Sequence, residues 1–288
     1  MKPAFTVEFY FHLSNVIPVM KSDTMMRFAF IETRVYWGGG LTAQQLATAF
    51  DLSRPHAQTV IDEYCRLHPQ SLQFDSKRRR QIAGPSFQLH YIRAAPALFL
   101  DYVRGQALTA YYLENSDWVD TPFEDVDRLL TPRIQRHPLQ AALQGLYEQK
   151  AVILHYRAKT GTSFREVSPH HLVFASNRYH LRVFCHITGC FLDFVLSRIL
   201  HSEPSTTPWV SARHDHEWNK IVMLTFKINM QLPLEAQEAL RCDFMLDDHD
   251  QLSIHSREAL ALYVRRHMLT VDKKFHIPRW TECVSSIE

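Results

Sequence analysis

Two sets of side chains in this 288-residue sequence have the types and spacing to do chemistry. The first is Ser53, Arg54, His56, Gln58 and Thr59, followed by the run Lys77-Arg78-Arg79-Arg80. Guanidinium and ammonium groups neutralise phosphates, while amides, hydroxyls and imidazoles read base edges, so this set points to nucleic acid. The second is Arg182 and Arg198 with Tyr156, His170 and Tyr179, two arginines with aromatics and a histidine, which suit a phosphate or a stacked base. They read equally well as salt-bridged arginines on the rim of a barrel. Histidine is abundant, and His214-Asp-His-Glu217 and Pro169-His-His171 invite a metal. Neither has the spacing of a zinc site, and no His-Glu-x-x-His, Gly-x-Ser-x-Gly or P-loop pattern occurs, so no catalytic residue, metal or cofactor is expected.

The first set needs a scaffold, and Leu41 to Leu67 supplies a helix-turn-helix. Thr42 starts a short amphipathic helix with Gln45 at the capping-box position and Leu46, Ala49 and Phe50 facing inward. Asp51-Leu52-Ser53 is the turn. In the second helix Ala57, Val60, Ile61 and Tyr64 make a core stripe at i, i+3, i+4 and i+7, which leaves Ser53, Arg54, His56, Gln58 and Thr59 projecting near its start. Pro55 suits the first turn, where its missing N–H costs nothing. Thr42 and Gln44 join these residues as candidate DNA contacts. The basic run lies on a hairpin between Leu72-Gln-Phe74 and Ile82-Ala83, where a wing would meet phosphates. Upstream, a helix over Asp23 to Trp37 is stopped by Gly38-Gly-Gly40.

Beyond the wing, helical propensity around Ala94 to Tyr112 gives way to a polar connector. Pro138 to Lys150 reads as a helix, after which the period switches to 2 over Val152–Arg157, Ser163–Val167, His171–Ala175, Tyr179–His186 and Phe191–Ile199, with turns at Lys159-Thr-Gly161, Ser176-Asn177 and Thr188-Gly189. Closely spaced short strands imply a small, bent sheet or barrel. Alternation places Tyr179, Leu181, Val183 and Cys185 on one face and His180, Arg182, Phe184 and His186 on the other; with Leu192, Phe194, Leu196 and Arg198 sharing a face, Arg182 and Arg198 are expected to converge near His170 or Tyr156. After Ser202 to Pro208 comes a compact module: strand Ile221–Ile228, helix Leu234–Arg241, two short strands around Asp243 to Ile254, and helix Arg257–His267. The expected fold is therefore α+β and multidomain, with residues 1–92 a winged helix-turn-helix, 93–130 a helical connector, 131–208 a sheet domain and 209–288 an α+β module.

Composition agrees: 46% hydrophobic and 12% aromatic residues can bury a core. Net charge is only +2, but the first 86 residues hold ten Lys and Arg against seven acids, leaving −1 for the remainder. Five scattered cysteines without a Cys-x-x-Cys pair suggest neither a disulfide framework nor a zinc ribbon, and fit a reducing cytoplasm. The stretch Phe5 to Met20 is interrupted by Glu8, His12, Asn15 and Pro18 and lacks a small-residue cleavage site, so it is a poor signal peptide. No apolar run is long enough to cross a bilayer, and no membrane partner is expected.

The sheet domain resembles a WYL domain over Ile153-Leu-His-Tyr156, Arg165-Glu-Val-Ser-Pro-His-His-Leu172, Asn177-Arg-Tyr-His-Leu-Arg182 and Phe191-Leu-Asp-Phe-Val-Leu-Ser-Arg-Ile199. The family's naming tripeptide, Trp-Tyr-Leu, stands here as Tyr179-His180-Leu181, and its frequent arginine before the Asp-Phe pair is Leu192. Upstream, Leu52-Ser-Arg-Pro-His-Ala-Gln58, Tyr64, Pro69, Leu72-Gln-Phe-Asp75 and Gly84-Pro-Ser-Phe87 are similar to the winged helix-turn-helix of WYL regulators of phage-defence islands, the BrxR and CapW type. Arg257-Glu-Ala-Leu-Ala-Leu-Tyr263 is similar to that group's C-terminal module.

The resemblance implies a homodimeric repressor of a phage-defence operon of BREX or CBASS type, binding an inverted repeat of double-stranded DNA. It implies a Sm- or SH3-like barrel that senses a nucleotide or nucleic-acid ligand through Tyr156, His170, Tyr179, Arg182 and Arg198, and a C-terminal module that contributes to dimerisation. Two other readings stay open from the residues: a metal-dependent nucleic-acid or nucleotide-processing enzyme using the histidine clusters, and a co-regulator that binds a partner protein instead of DNA.

Overall fold

The computed structural model describes residues 22–109, 130, 132–244, 246 and 249–283. The expectations for residues 1–20 and for the connector beyond Thr109 lie mostly outside these. Contacts divide the chain into two units, Met1–Ala94 and Ala95–Glu288.

Among the described residues, the first unit is three helices and a hairpin. Helix α1 (Ser22–Gly38) packs against α2 (Ala43–Ala49) and α3 (Arg54–Leu67), and strands β1 (Leu72–Asp75) and β2 (Arg80–Ala83) form the hairpin. Phe28, Ile31 and Val35 of α1 meet Leu46 and Ala47 of α2 and the buried stripe Ala57, Val60, Ile61 and Tyr64 of α3, as the helical period dictates. Ala49, expected inside, is exposed: Ala47 and Leu46 take the inward face of so short a helix, and Phe50 closes it from the half-buried edge. The wing is tied to the body by reciprocal backbone bonds between Leu41 and Gln81, both 2.8 Å. Gly40 makes that approach feasible: its φ is +154°, and a Cβ would meet Arg80 Cδ at 2.7 Å and the Gln81 carbonyl oxygen at 2.8 Å.

A fully buried carboxylate locks this unit. Glu32 of α1 accepts from Tyr64 Oη (3.1 Å) and from the backbone N–H groups of His90 (2.8 Å), Tyr91 (2.9 Å) and Ile92 (3.2 Å). It thereby joins α1, α3 and the segment that leaves the wing.

The second unit begins with α4 (Pro96–Thr109) and α5 (Arg136–Glu148), then an antiparallel sheet of order β6-β5-β4-β3-β7. Its strands are β3 (Val152–Ala158), β4 (Gly161–Ala175), β5 (Arg178–Cys185), β6 (Cys190–Val195) and β7 (Ile199–Pro204). Two expected strands are one: Ser163–Val167 and His171–Ala175 both belong to β4, whose register shifts between Pro169 and His171. That bulge keeps the strand continuous while re-aiming the residues around His170. Conversely, Phe191–Ile199 is broken, because β6 ends at Val195 and a 3₁₀ turn (Leu196–Arg198) leads into β7. The period-2 pattern runs through this corner without marking it, since Leu196 stays buried in the turn.

A short helical turn α6 (His216–Asn219) leads to a second sheet of order β10-β8-β9, from β8 (Ile221–Ile228), β9 (Gln251–Arg257) and β10 (Trp280–Cys283), with helices α7 (Leu234–Asp243) and α8 (Glu258–Met268). Leu224, Phe226 and Ile228 alternate inward to meet Leu240, Ala261, Met268 and Trp280. Of the two short strands expected around Asp243 to Ile254, the described residues hold β9 alone.

Candidate functional site

In the first unit the polar residues at the helix starts divide into those that build the helices and those left over. Thr42 is the N-cap of α2: its Oγ1 accepts from Gln45 N (3.2 Å), and Gln45 Oε1 accepts from Thr42 N (2.9 Å). Ser53 caps α3 in the same way, its Oγ accepting from His56 N (3.3 Å). Thr59 Oγ1 donates back to the Pro55 carbonyl at 3.1 Å, Gln58 Nε2 donates to Asp62 Oδ1 at 2.8 Å, and Gln44 Nε2 donates to Thr48 Oγ1 at 3.4 Å. Arg54 and His56 are exposed on the first turn of α3. Helix α3 thus carries an exposed cationic start over a buried stripe, the geometry of a helix that enters a major groove.

The hairpin tip is shaped by Asp75, whose Oδ1 accepts from the N–H groups of Lys77 (2.9 Å) and Arg78 (3.0 Å), while Arg79 adopts φ +52°. Lys77, Arg78 and Arg79 are exposed; Arg78 also faces Asp75 Oδ2 at 3.8 Å. Arg80, half-buried, lays its stem against Gly40. Cations on a hairpin tip suit the phosphate backbone, where each neutralised phosphate releases counterions.

In the second unit the five expected ligand residues do not form one pocket. Tyr156 points into the sheet's core, edge-on to Phe194 (centroids 4.6 Å apart), and its Oη accepts from Val195 N (3.2 Å). Tyr179 lies on the face of β5 opposite Arg182; its Oη donates to Asp101 Oδ1 of α4 (3.4 Å), and burial with that carboxylate raises its pKa to about 12. Arg198 sits on the 3₁₀ corner, and its charge is felt at His180. His170 and Arg182 come together on Asp215, a partner outside the expected set, while Tyr156 and Tyr179 are engaged elsewhere. The chain bends between Val195 and Ile199, so Arg198 stands on a turn where the pattern called for a continuous strand.

Arg182, only 4% exposed, is surrounded by carboxylates. Its Nε and Nη2 grip Asp215 Oδ2 (2.8 Å) and Oδ1 (3.1 Å), its Nη2 also reaches Glu217 Oε2 (3.1 Å), and its Nη1 faces Asp193 Oδ1 (3.5 Å). Tyr263 Oη of α8 donates to the other oxygen of Asp193 (2.9 Å). Burial works against the guanidinium's charge, but the bonds to Asp215 prevail and hold its pKa above the ordinary value. Burial likewise opposes ionised Asp215, and the donors Arg182 and Trp218 N–H keep it below the usual carboxylate range.

His170 Nε2 approaches Asp215 Oδ2 at 3.2 Å, and its Nδ1 lies 2.6 Å from Nδ1 of His171. Burial foremost, then His171, lowers the His170 pKa to about 4, so the ring is neutral near pH 7. A neutral ring satisfies both contacts when Nε2 carries the proton to Asp215 and Nδ1 accepts from His171. His171 in turn lies against the ring of Trp218 (4.3 Å), and the Arg257 guanidinium lies 4.7 Å from the same indole.

The side chains of 214–217 alternate in direction. Asp215 and Glu217 turn to Arg182, while His214 and His216 are exposed. Among the described residues no three His, Cys, Asp or Glu side chains gather as ligands, and no helix is long and apolar enough to cross a membrane. Asp193, Asp215, Glu217 and Tyr263 are the members that sequence reasoning missed. The legible signal was Asp215 three residues before Trp218, the spacing of a side-chain N-cap, realised as Trp218 N donating to Asp215 Oδ1 (3.1 Å).

Residues 23–105 match the BrxR transcriptional regulator winged helix-turn-helix domain, and residues 138–204 match the WYL domain. The DNA-binding transcriptional repressor CapW of Escherichia coli strain KTE188 is 26% identical over 254 residues, spanning 87% of this chain and 84% of the relative. The repressor of the same name from Pseudomonas aeruginosa is 27% identical over 242 residues, 83% of this chain and 80% of its own length. Among solved structures, proteasome accessory factor B/C of Arthrobacter aurescens aligns with 98% of this chain and 50% of its own at 15% identity, with a TM-score of 0.27, a superposition too loose to carry any argument.

Proposed function

From a BrxR-type winged helix-turn-helix joined to a WYL domain, we infer a sequence-specific DNA-binding transcriptional repressor with no enzymatic activity. The observation that carries this reading is the exposed start of α3 (Arg54, His56, with Gln58 and Thr59 behind them) on a unit whose wing is held to the loop before α2 by the Leu41–Gln81 bonds. The helix enters a major groove and reads base edges; Lys77, Arg78, Arg79 and Arg80 clamp neighbouring phosphates. Thr42, Gln44 and Ser53 complete the footprint, the two caps doing so from the helix starts they already build.

In this reading the protein acts in the cytoplasm as a homodimer on an inverted repeat, the module of β8 to β10 and α7 to α8 supplying the dimer contact, because two-fold symmetry of protein and operator go together. Its target is a phage-defence operon of BREX or CBASS type. The five-stranded sheet, taken as a small Sm- or SH3-like barrel, receives a nucleotide or nucleic-acid effector at Arg182 and His170, with Tyr156, Tyr179 and Arg198 supporting the sheet around them.

The test is a gel shift with the DNA upstream of the protein's own gene. A sequence-selective complex that weakens steeply between about 50 and 200 mM salt is expected. No selective shift at near-physiological salt would sink the reading.

A further inference from the structure

We propose that Asp215 and Glu217 fill the Arg182 site as an internal anion, and that a phosphate-bearing effector enters by exchanging with them, releasing the cap on the Trp218 amide and loosening the turn that carries it. This inference rests on the reading of Arg182 as an effector residue.

A planar guanidinium offers a limited set of edges to an anion, and the Nε/Nη2 edge is the one that pairs bidentately with a carboxylate or a phosphate. Asp215 holds that edge through both oxygens, at 2.8 and 3.1 Å. Glu217 shares Nη2, so no anion reaches the fork while these two carboxylates stay; Asp193 faces Nη1, outside it. Charge gives the same answer. Three carboxylates bond the one cation Arg182, with His170 and His171 both biased to their neutral forms, so an anion added at Arg182 meets an excess of negative charge among its direct partners, while Arg257 acts from beyond Trp218. Exchange relieves the repulsion; simple addition increases it.

The two carboxylates that must move are not equally held. The Glu217 side chain is 62% exposed and can swing into water, whereas that of Asp215 is 1% exposed and also accepts from His170 and from the N–H of Trp218. Withdrawing Asp215 removes the cap of α6 and the group that anchors the turn beside β5. Trp218 then keeps its ring contacts to His170 and His171 of β4 and the bond and ring contact from Arg257, the residue that opens α8, but loses the cap that fixes its amide. Occupancy of Arg182 is thereby coupled to the attachment of the C-terminal module to the sheet. A ligand shifts such an equilibrium only by its differential affinity for the two states, and the cost of displacing the internal anion lowers its apparent affinity.

The experiment uses the full chain and two probes that share the phosphate group, thymidine 5′-monophosphate and a 5′-phosphorylated single-stranded hexathymidylate, with isothermal titration of wild type, Glu217→Gln and Arg182→Lys. The two arms separate a nucleotide from a nucleic-acid source. Glu217→Gln, an exposed substitution that leaves the fold intact, is expected to tighten probe binding by about three- to tenfold, because one competitor is gone. Hydrogen exchange on the wild type, which needs no variant to fold, is expected to quicken at the amides of Trp218, Asn219 and Lys220 as the probe saturates. Probe binding that Arg182→Lys weakens, but that neither Glu217→Gln nor the Trp218 amide registers, overturns the exchange while leaving Arg182 as an effector residue. Probe binding indifferent to Arg182→Lys, or none at all, overturns the effector reading itself and the exchange with it.

Discussion

The winged helix and the sheet domain treat their charges in opposite ways. In the winged helix the cations sit outside: Arg54, Lys77 and Arg79 are exposed, and the fold is held by an apolar stripe, two hydroxyl caps and one buried carboxylate, Glu32, that is satisfied by backbone N–H groups and a phenol. In the sheet domain the cation is inside: Arg182 is buried and its partners come from β6 and from the turn before β8. A charge that the fold does not use remains available to a phosphate backbone. A charge enclosed by carboxylates holds elements together, and a ligand reaches it only by taking it from them. The difference also predicts how each domain fails when its charge is removed.

The largest effect is expected at Arg182. Arg182→Ala leaves Asp215 buried with no guanidinium and Asp193 unpaired from it at the edge, and breaking a buried pair in this way costs about 3–5 kcal/mol. Urea denaturation should show that loss, whereas Arg79→Ala should change stability by less than about 0.5 kcal/mol. Equal midpoints for the two variants would break the comparison. Next comes acid. The folded pKa of His170 lies near 4, below its ordinary 6.5, so the unfolded chain binds the extra proton first as pH falls. Stability from this residue is complete above about pH 6.5 and declines toward pH 4, by about 2–3 kcal/mol in all. His170→Gln, which keeps a donor for Asp215 but cannot titrate, should flatten that part of the urea-midpoint profile; an unchanged profile would place the acid sensitivity elsewhere.

The same contrast explains what could be read from the sequence. The stripe Ala57, Val60, Ile61 and Tyr64, the cap at Thr42, the glycine stop before it and the hairpin around the basic run are local patterns, and the structure realises each of them. The strand periods also located most of the central sheet. They could not show the bulge at His170 or the corner at Leu196–Arg198, because a bulge inserts one residue without altering composition and a buried leucine fits strand and turn alike. Nor could they show Asp215 against Arg182, a contact across 33 residues between segments that local spacing treats as separate. Histidine density drew attention to 214–217 as a metal pattern, yet it is the two acids in that segment that face the arginine. Glu32 was invisible for a related reason: its donors are backbone N–H groups 58 to 60 residues away, which any sequence would offer.

The exposed side of the comparison is sharpened by the wing. Replacing Lys77 and Arg79 together with alanine should leave the urea midpoint in place and weaken binding about tenfold or more at 0.15 M salt, to operator and to unrelated DNA alike. The slope of log affinity against log salt should fall in magnitude by about 2, one unit for each phosphate that is no longer neutralised. A loss confined to the operator would mean that the wing reads sequence, and would move it from the positioning to the specifying class of contact.

The smallest effect separates two jobs that Ser53 can hold at once. Its Oγ accepts from His56 N, which is a capping role, and its hydroxyl proton remains able to meet a phosphate. Ser53→Ala removes both and should lower stability by about 1 kcal/mol. Ser53→Asp restores the cap and suits the positive end of α3, so its stability should equal or exceed wild type, but it sets an anion where a phosphate would lie. If the residue works only as a cap, folded Ser53→Ala protein binds operator as wild type does, and Ser53→Asp alone is impaired. A few-fold loss in both variants, measured by titration well below the unfolding transition, assigns the hydroxyl to the DNA interface, because the one property they share is the missing donor. Operator affinity unchanged in Ser53→Asp would remove the start of α3 from contact with the backbone, and with it the difference between the two domains that exposure of their charges implies.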